Sequence, residues 1–317
     1  MSTSAPAAFL DRAELAWAAG FFDGEGSTIA RAFGRRPGYF QLNVTVPQAG
    51  HRGIPEVLER FQTAMLGMGN ISGPDRKGGY MLRFNAREEA TLVLQLLWPH
   101  LGEVKRAQAT RAIARVQHEF AAGTRPRRKP RKSAPELPDI RERSQVDLER
   151  AWAAGFLDAE GCFGLNRAKQ RVRGAAWYRI RVSADQHGVA GMTPEVLVRL
   201  RRALEGIGRI DCHGQPDDYK WMAEGPLMVE RVVLLTSPWL GVKKREDAVR
   251  ALATFNAQIR LKGDETHCVR GHLYDRVAMK GGRLRRICNA CERITRRAQR
   301  AAQGIPPRRF NLARRYT

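Results

Sequence analysis

The stretch "AWAAGFFDGEGS", Ala16 to Ser27, returns almost unchanged as "AWAAGFLDAEGC", Ala151 to Cys162. Trp17 and Trp152 open the matching blocks, 135 positions apart. Each block is small and apolar, then turns acidic. Read as helices over 13–24 and 148–159, the blocks place Ala16 and Gly20, and likewise Ala151 and Gly155, four apart on one face. Small residues at that spacing let two backbones approach closely. Trp17, Phe21 and Phe22, with Trp152, Phe156 and Leu157, are expected to anchor the flanks in each unit's core. Two copies of one sticky face predict that the helices pack against each other on a pseudo-twofold axis.

The acids at the ends of these blocks are the puzzle. Asp23, Glu25, Asp158 and Glu160 fall at helix C-termini, where unsatisfied carbonyls already concentrate negative charge. Carboxylates brought together there repel one another unless something cancels them. Carboxylate and carbonyl oxygens are the ligands that Mg²⁺ takes, so a divalent cation between Glu25 and Glu160 is the expected remedy. Asp23 and Asp158 are expected only to hydrogen-bond the turn after each helix. Paired acids flanking a cation also suit phosphodiester hydrolysis, where the metal activates water and stabilises the leaving oxygen.

The duplication extends outward from the motif. "TPEVLVRLRRALEGIGRI" (Thr193–Ile210) answers "IPEVLERFQTAMLGMGNI" (Ile54–Ile71), and "GVKKREDAVRALA" (Gly241–Ala253) answers "GEVKRAQATRAIA" (Gly102–Ala114), both at an offset of 139. The expected layout is one unit over 12–120, a Pro- and Arg-rich tether over 121–146, a second unit over 147–262 and a basic tail over 263–317. In "YFQLNVTV" Phe40, Leu42, Val44 and Val46 alternate with polar residues, and in "WYRIRVS" Tyr178, Ile180 and Val182 do the same. A helix with Pro at its first turn follows in each copy. The fold class is therefore α+β, two units with helices on one side of an antiparallel sheet. The opposite sheet face is expected to carry Arg83, Trp177, Arg179 and Arg181.

The 317 residues carry 55 Lys and Arg against 32 Asp and Glu, a net charge of +23. That excess calls for a polyanionic partner, nucleic acid or an anionic membrane surface. No apolar run approaches the roughly 18 residues of a membrane span, and no basic amphipathic helix carries bulky apolar anchors, so nucleic acid is favoured. Five Cys, with three crowded near the C-terminus, do not read as a disulfide framework and fit a reducing, intracellular setting. Within His267–Arg293, Cys268 and His272 are spaced C-x₃-H, and Cys288 and Cys291 C-x₂-C. Two close pairs around a Gly-Gly turn fit a closed structural Zn²⁺ site, with His267 as a possible substitute ligand. From Gly263 onward the net charge is +10, and "RITRRAQRAAQ" reads as a basic helix, an accessory DNA-binding tail.

"AAGFFDGEG" and "AAGFLDAEG" resemble the LAGLIDADG motif, and the chain resembles the single-chain, two-motif LAGLIDADG homing endonucleases over both repeats, about four-fifths of its length. The resemblance implies two pseudo-symmetric units whose sheets form a DNA-binding saddle. It places the metal-binding acids, for Mg²⁺ or Mn²⁺, on Glu25 and Glu160, with backbone carbonyls from Gly24 and Ala159. A Gln that helps place the attacking water matches Gln48 and Gln186. A Lys near the start of a late helix matches Lys105 and Lys244, with Lys243 as an alternative to the latter. The sequence departs from the family where Ala18 and Ala153 replace the leading Leu, and "GST" stands where the second copy has "GCF". Pro47 is expected to interrupt the strand just before Gln48. The implied function is site-specific hydrolysis of both strands of a long asymmetric DNA duplex by a monomer encoded on a mobile element. Phosphate contacts would supply affinity and Arg side chains would read bases. An RNA-binding intron maturase and a non-catalytic DNA-binding regulator are the alternatives, and retention of both acids leans against each. A first Met and the lack of splice-junction residues suggest a free-standing enzyme.

Overall fold

The computed structural model describes residues 10–32, 40–50, 53–121, 137–168, 177–261, 268, 270, 272, 274–280 and 283–303. It divides into two compact units, Met1–Ala253 and Thr254–Thr317. The first repeat runs β1 (Leu10–Asp11), α1 (Arg12–Glu25), β2 (Ser27–Ala32), β3 (Phe40–Ala49), α2 (Glu56–Ala64), β4 (Asn70–Ser72), β5 (Gly79–Phe84), α3 (Arg87–Leu97) and α4 (Glu103–Ala121). The second runs β6 (Ile140–Arg141), α5 (Gln145–Glu160), β7 (Gly161–Ala168), β8 (Trp177–His187), α6 (Glu195–Ala203), β9 (Arg209–Cys212), β10 (Asp218–Glu224), α7 (Pro226–Thr236) and α8 (Val242–Leu261). Each repeat builds a four-stranded antiparallel sheet, ordered β2-β3-β5-β4 in one and β7-β8-β10-β9 in the other. The α+β expectation and the matching order of elements hold throughout both repeats.

The helices form where the sequence signals them. Asp11 caps α1 by accepting from the backbone N–H of Ala13, and Ser144 caps α5 by accepting from that of Asp147. Most of the tether, residues 122–136, lies outside the described residues. Its end is structured: β6 pairs in parallel with β1, Leu10 opposite Ile140, so the entry points of α1 and α5 lie side by side.

Alternation sets the sheet faces. Along β5, Tyr80, Leu82 and Phe84 are buried while Met81 and Arg83 are half-buried on the opposite face. Along β10, Tyr219, Trp221 and Ala223 are buried in the same way. Pro47 does not interrupt β3, contrary to the sequence expectation: the strand continues to Ala49, with Pro47 opposite Met81 and Gln48 opposite Tyr80. The reason is topological. β2 begins at Ser27, opposite Thr45, so beyond Thr45 that side of β3 has no strand partner among the described residues and a proline is tolerated as on an edge.

The core centres on α1 and α5. Trp17, Phe21, Phe22, Trp152, Phe156 and Leu157 are all fully buried. Trp17 stacks on Phe21 at 5.5 Å between ring centroids, and Trp152 stacks on Phe156 at 5.5 Å. Between the helices backbone meets backbone. A Cβ on Gly20 would lie 1.9 Å from the Trp152 carbonyl oxygen, and one on Gly155 would lie 1.9 Å from that of Trp17. Gly20 and Gly155 thus mark points of close approach between α1 and α5 where a methyl has no room.

In the second unit, β11 (Arg276–Lys280) and β12 (Arg283–Ile287) form an antiparallel hairpin. It is followed by α9 (Asn289–Ala302), which spans the expected basic helix.

Candidate active site and metal centres

Packing α1 against α5 delivers both motifs to one place, because each helix ends on its glutamate, Glu25 and Glu160. Gly24 marks the closeness. A Cβ there would sit 2.5 Å from the Ala159 Cβ and 3.5 Å from Glu160 Oε1. The methyl of Ala159 thus occupies the space that a second methyl at position 24 would need, which accounts for "DGEG" in one copy and "DAEG" in the other.

Electrostatics reflect the crowding. Glu25 is pushed up to about 7, first by burial and then by the charge of Glu160, against the pull of Lys105 and Lys244. Glu160 is raised too, chiefly by burial, with Asp185 adding to the effect and Lys105 and Lys244 opposing it. Burial holds Lys105 below the ordinary lysine range, while Asp23, Glu160 and Glu25 act to raise it. Two half-buried carboxylates raised chiefly by burial, Glu25 also by the charge of Glu160, are a hard-oxygen pair short of positive charge. That donor set fits a divalent cation of the Mg²⁺ or Mn²⁺ kind.

The lysines occupy matching posts. Lys105 Nζ donates to the Gly26 carbonyl and Lys244 Nζ to the Gly161 carbonyl, the residues that follow the two glutamates. Lys243 is turned away and pairs with Asp247 Oδ2 at 2.6 Å. The structure therefore puts Lys244, not Lys243, where Lys105 stands in the first copy. Gln48 and Gln186 also correspond, each opposite a tyrosine on the next strand, Tyr80 and Tyr219. Gln186 shares a cavity of about 400 Å³ with Glu160, Asp185, His187, His213, Asp218 and Tyr219. Its Oε1 is buried without a hydrogen-bond partner among the described residues. The first repeat has Pro47 and Ala49 where the second has Asp185 and His187, so the surroundings of the two glutamates differ.

Asp23 and Asp158 do not bond the turn after their helices. That turn is closed by backbone alone, Gly26 N–H to Phe22 O and Gly161 N–H to Leu157 O. The aspartates instead reach across the molecule. Asp23 accepts from the Gly102 N–H at 2.8 Å and from Trp152 Nε1 at 2.8 Å; Asp158 accepts from the Gly241 N–H at 2.8 Å and from Trp17 Nε1 at 2.8 Å. Both are almost completely buried and pushed up to about 6, by burial above all, with these hydrogen bonds pulling the other way. Local reasoning missed them because their partners lie 79 to 141 residues away.

A second pair, Arg60 and Arg199, also escaped the sequence reading. Arg60 stacks over Trp17 at 3.9 Å and grips Glu14 at 2.8 and 2.9 Å. Arg199 stacks over Trp152 at 4.1 Å and grips Glu149 at 2.8 and 3.0 Å. The signal was available, since Arg60 and Arg199 recur at the 139-residue offset inside the matching "PEVLERF" and "PEVLVRL".

On the sheet face away from the helices, Arg83 donates to Ser72 Oγ at 2.7 Å, Arg179 pairs with Glu224 at 3.3 Å, and Arg181 lies opposite Glu224 in register. The side chain of Trp177, at the start of β8, lies outside the described residues.

In the second unit, Cys268, His272, Cys288 and Cys291 bring one ligand atom each to within 4.8 Å of one another. The Cys268 and Cys291 sulfurs are 3.5 Å apart, and His272 Nδ1 lies 3.7 and 3.5 Å from them. Zn–S bonds of about 2.3 Å and a Zn–N bond of about 2.0 Å at tetrahedral angles give edges of about 3.8 and 3.5 Å, so the cluster fits that ion. Against the cost of burial, N–H bonds from Arg270 and His272 hold the Cys268 thiol down, to about 6, toward its ligating form. His267 lies outside the described residues.

No family model and no curated protein matches the sequence. Solved structures do match in shape. The LAGLIDADG meganuclease I-AabMI bound to uncleaved DNA aligns with a TM-score of 0.58 at 17% identity, over 78% of this chain and 92% of that one. The I-LtrWI LAGLIDADG homing endonuclease bound to target DNA aligns at 0.57 and 13% identity, over 82% and 94%. I-SmaMI, bound to an uncleaved DNA target in the presence of calcium ions, aligns at 0.52 and 16%, over 81% and 94%. The motif pair, the helix packing and these alignments agree: the chain has the two-repeat α+β fold of the LAGLIDADG homing endonucleases.

Proposed function

We propose that this protein is a site-specific, divalent-cation-dependent DNA endonuclease that cuts both strands of a long, asymmetric duplex. The observation that carries the proposal is the meeting of Glu25 and Glu160 at the ends of two helices packed backbone to backbone, each followed by a glycine carbonyl held by Lys105 or Lys244. Glu25 and Glu160, with the Gly24 and Ala159 carbonyls, would hold the cation. Bound there, it would supply Lewis acidity toward the scissile phosphate and its attacking water. Lys105 and Lys244 stand ready to balance the negative charge that phosphodiester hydrolysis builds up. Gln186, which shares a cavity with Glu160, and its counterpart Gln48 would orient water. Among the relatives in shape, I-LtrWI is a homing endonuclease bound to target DNA, I-AabMI is a meganuclease bound to uncleaved DNA, and I-SmaMI is bound to an uncleaved DNA target.

The net charge of +23 supplies attraction to phosphate, and Arg83, Arg179 and Arg181 are the proposed base readers, with Trp177 as a further DNA-contacting candidate. The two repeats, over 12–120 and 147–262, would each handle half of the target, joined by the 121–146 tether as one monomer. The tail over 263–317 would hold a structural Zn²⁺ through Cys268, His272, Cys288 and Cys291 and lengthen the footprint on DNA. The paired acids favour this reading over a maturase or a non-catalytic regulator, neither of which needs them.

The test is a cleavage selection with purified protein and Mg²⁺ on long randomised duplexes, with E25Q/E160Q as control. Cut ends clustered at one asymmetric sequence, and lost in the control, are the expected outcome. Duplexes retained but uncut by the wild-type chain would overturn the nuclease reading in favour of a regulator.

A further inference from the structure

Trp17 and Trp152 are placed symmetrically but bonded crosswise. Trp17, in the first repeat, donates its indole N–H to Asp158 in the second, and Trp152 donates to Asp23 in the first. Each aspartate also accepts, through both carboxylate oxygens, from the glycine N–H that heads a long helix of its own repeat: Gly102 before α4, and Gly241 before α8. Those helices carry the lysines. Lys105 is the third residue of α4 and reaches the Gly26 carbonyl; Lys244 is the third residue of α8 and reaches the Gly161 carbonyl. The contact is tight, since a Cβ on Gly241 would come within 3.0 Å of the Asp158 carboxylate and one on Gly102 within 3.2 Å of that of Asp23.

The arginines repeat the crossing. Arg60 holds the Trp17 ring from above and donates to the carbonyl of Trp239, two residues before Gly241 in the other repeat. Arg199 holds the Trp152 ring and donates at 2.7 Å to the carbonyl of His100, two residues before Gly102. Each tryptophan therefore belongs to a chain of contacts that ends on the opposite repeat's lysine-bearing helix.

We propose that Trp17 is a positioning residue for the Glu160–Lys244 centre and Trp152 for the Glu25–Lys105 centre, so that each half of the molecule sets the geometry of the other half's chemistry. The consequence for strand cutting rests on the nuclease reading above; the crossed positioning itself does not. A buried hydrogen bond to a carboxylate is among the stronger ones available, and loss of one partner leaves the other underbonded in a dry setting. Trp17→Phe keeps the stacked ring but leaves Asp158 with only the Gly241 N–H, which loosens the start of α8 rather than that of α4.

Two measurements separate the ideas. Hydrogen exchange on the full, zinc-loaded chain without DNA reads the positioning directly. In W17F the amides of Gly241 and the first turn of α8 are expected to exchange faster while Gly102 and α4 keep their protection, with W152F giving the reverse. Loosening of α4 in W17F, or of both helices equally, overturns the proposal. Strand-resolved nicking of an end-labelled duplex recovered from the cleavage selection reads the consequence, with K105A and K244A marking the cut that belongs to each centre. W17F is expected to slow the K244A-sensitive cut about tenfold relative to the other strand, and W152F the K105A-sensitive cut. Equal slowing of both strands, or slowing of the strand tied to the tryptophan's own repeat, overturns it. R60K and R199K, which release the Trp239 and His100 carbonyls of the opposite repeat, carry the same two readouts in place of W17F and W152F if the tryptophan variants do not fold. Crossed exchange in a chain that cuts no duplex would sink the nuclease reading and leave the positioning standing.

Discussion

At the scale of single residues, the most constrained positions are glycines against a neighbouring helix's backbone. Gly20 is the sharpest case, because a methyl there would overlap the Trp152 carbonyl at 1.9 Å and neither partner is the free end of a side chain. Gly20→Ala is expected to cost about 3 kcal/mol or more, at the upper end of overpacking penalties, since α1 and α5 must separate to accept it. Gly164, with nothing within 4 Å of its Cβ position, is the control: in urea titrations of both variants, Gly164→Ala is expected to leave stability within about 0.5 kcal/mol of the wild type. Equal melting of the two variants would remove the close helix contact as the source of the motif's glycine. Small residues four apart made this contact legible from sequence, because the requirement is local to each helix face. The choice between Lys243 and Lys244 was not legible, since adjacent residues point about 100° apart on a helix and only the packing of α8 decides which one faces the glutamates.

At the scale of elements, the meeting of two helix C-termini concentrates acids whose titration couples to folding. Glu25 is raised to about 7, Asp23 and Asp158 to about 6, all mainly by burial, whereas the unfolded values are 4.5 and 3.8. Raised carboxylates bind protons in the folded state that the unfolded chain has released. Their stabilising contribution is therefore full below the unfolded value and is lost as pH rises through the folded one. His100, pushed down to about 4 chiefly by burial, acts oppositely: its contribution is lost as pH falls below the ordinary 6.5. Above pH 6.5 the carboxylates dominate. Without added divalent cation, the melting temperature is expected to fall between pH 6.5 and about 8, and millimolar Mg²⁺ is expected to restore it. E25Q is expected to flatten that slope. A flat wild-type profile would mean that Glu25 is not held in its protonated form. The sequence placed these acids at helix ends correctly but assigned Asp23 and Asp158 to local turns. Their true partners are the indoles and glycine amides of elements far away in the chain, which no local pattern encodes.

At the scale of the whole molecule, the two compact units should respond separately to metal. Removal of zinc with a chelator selective for it is expected to unprotect residues 268–303 in hydrogen exchange while Met1–Ala253 keeps its protection and its melting transition. A single cooperative loss across the chain would refute a separately folding tail. What the sequence determined by itself was everything carried by repetition and spacing: the duplication, the α+β class, the helix faces that pair, the acids at their ends and the Cys/His cluster. These are short-range facts, set by helical and strand periodicity and by the reach of a few ligating atoms. What only the tertiary structure decided was how the halves are joined. Pro47 fits inside β3 because β2 starts opposite Thr45. Lys244 faces inward because α8 is docked by Gly241 on Asp158, and that aspartate is held by Trp17 of the other repeat. Such hydrogen bonds depend on which surfaces meet after both repeats have folded, and that is a property of the packed molecule rather than of any one stretch.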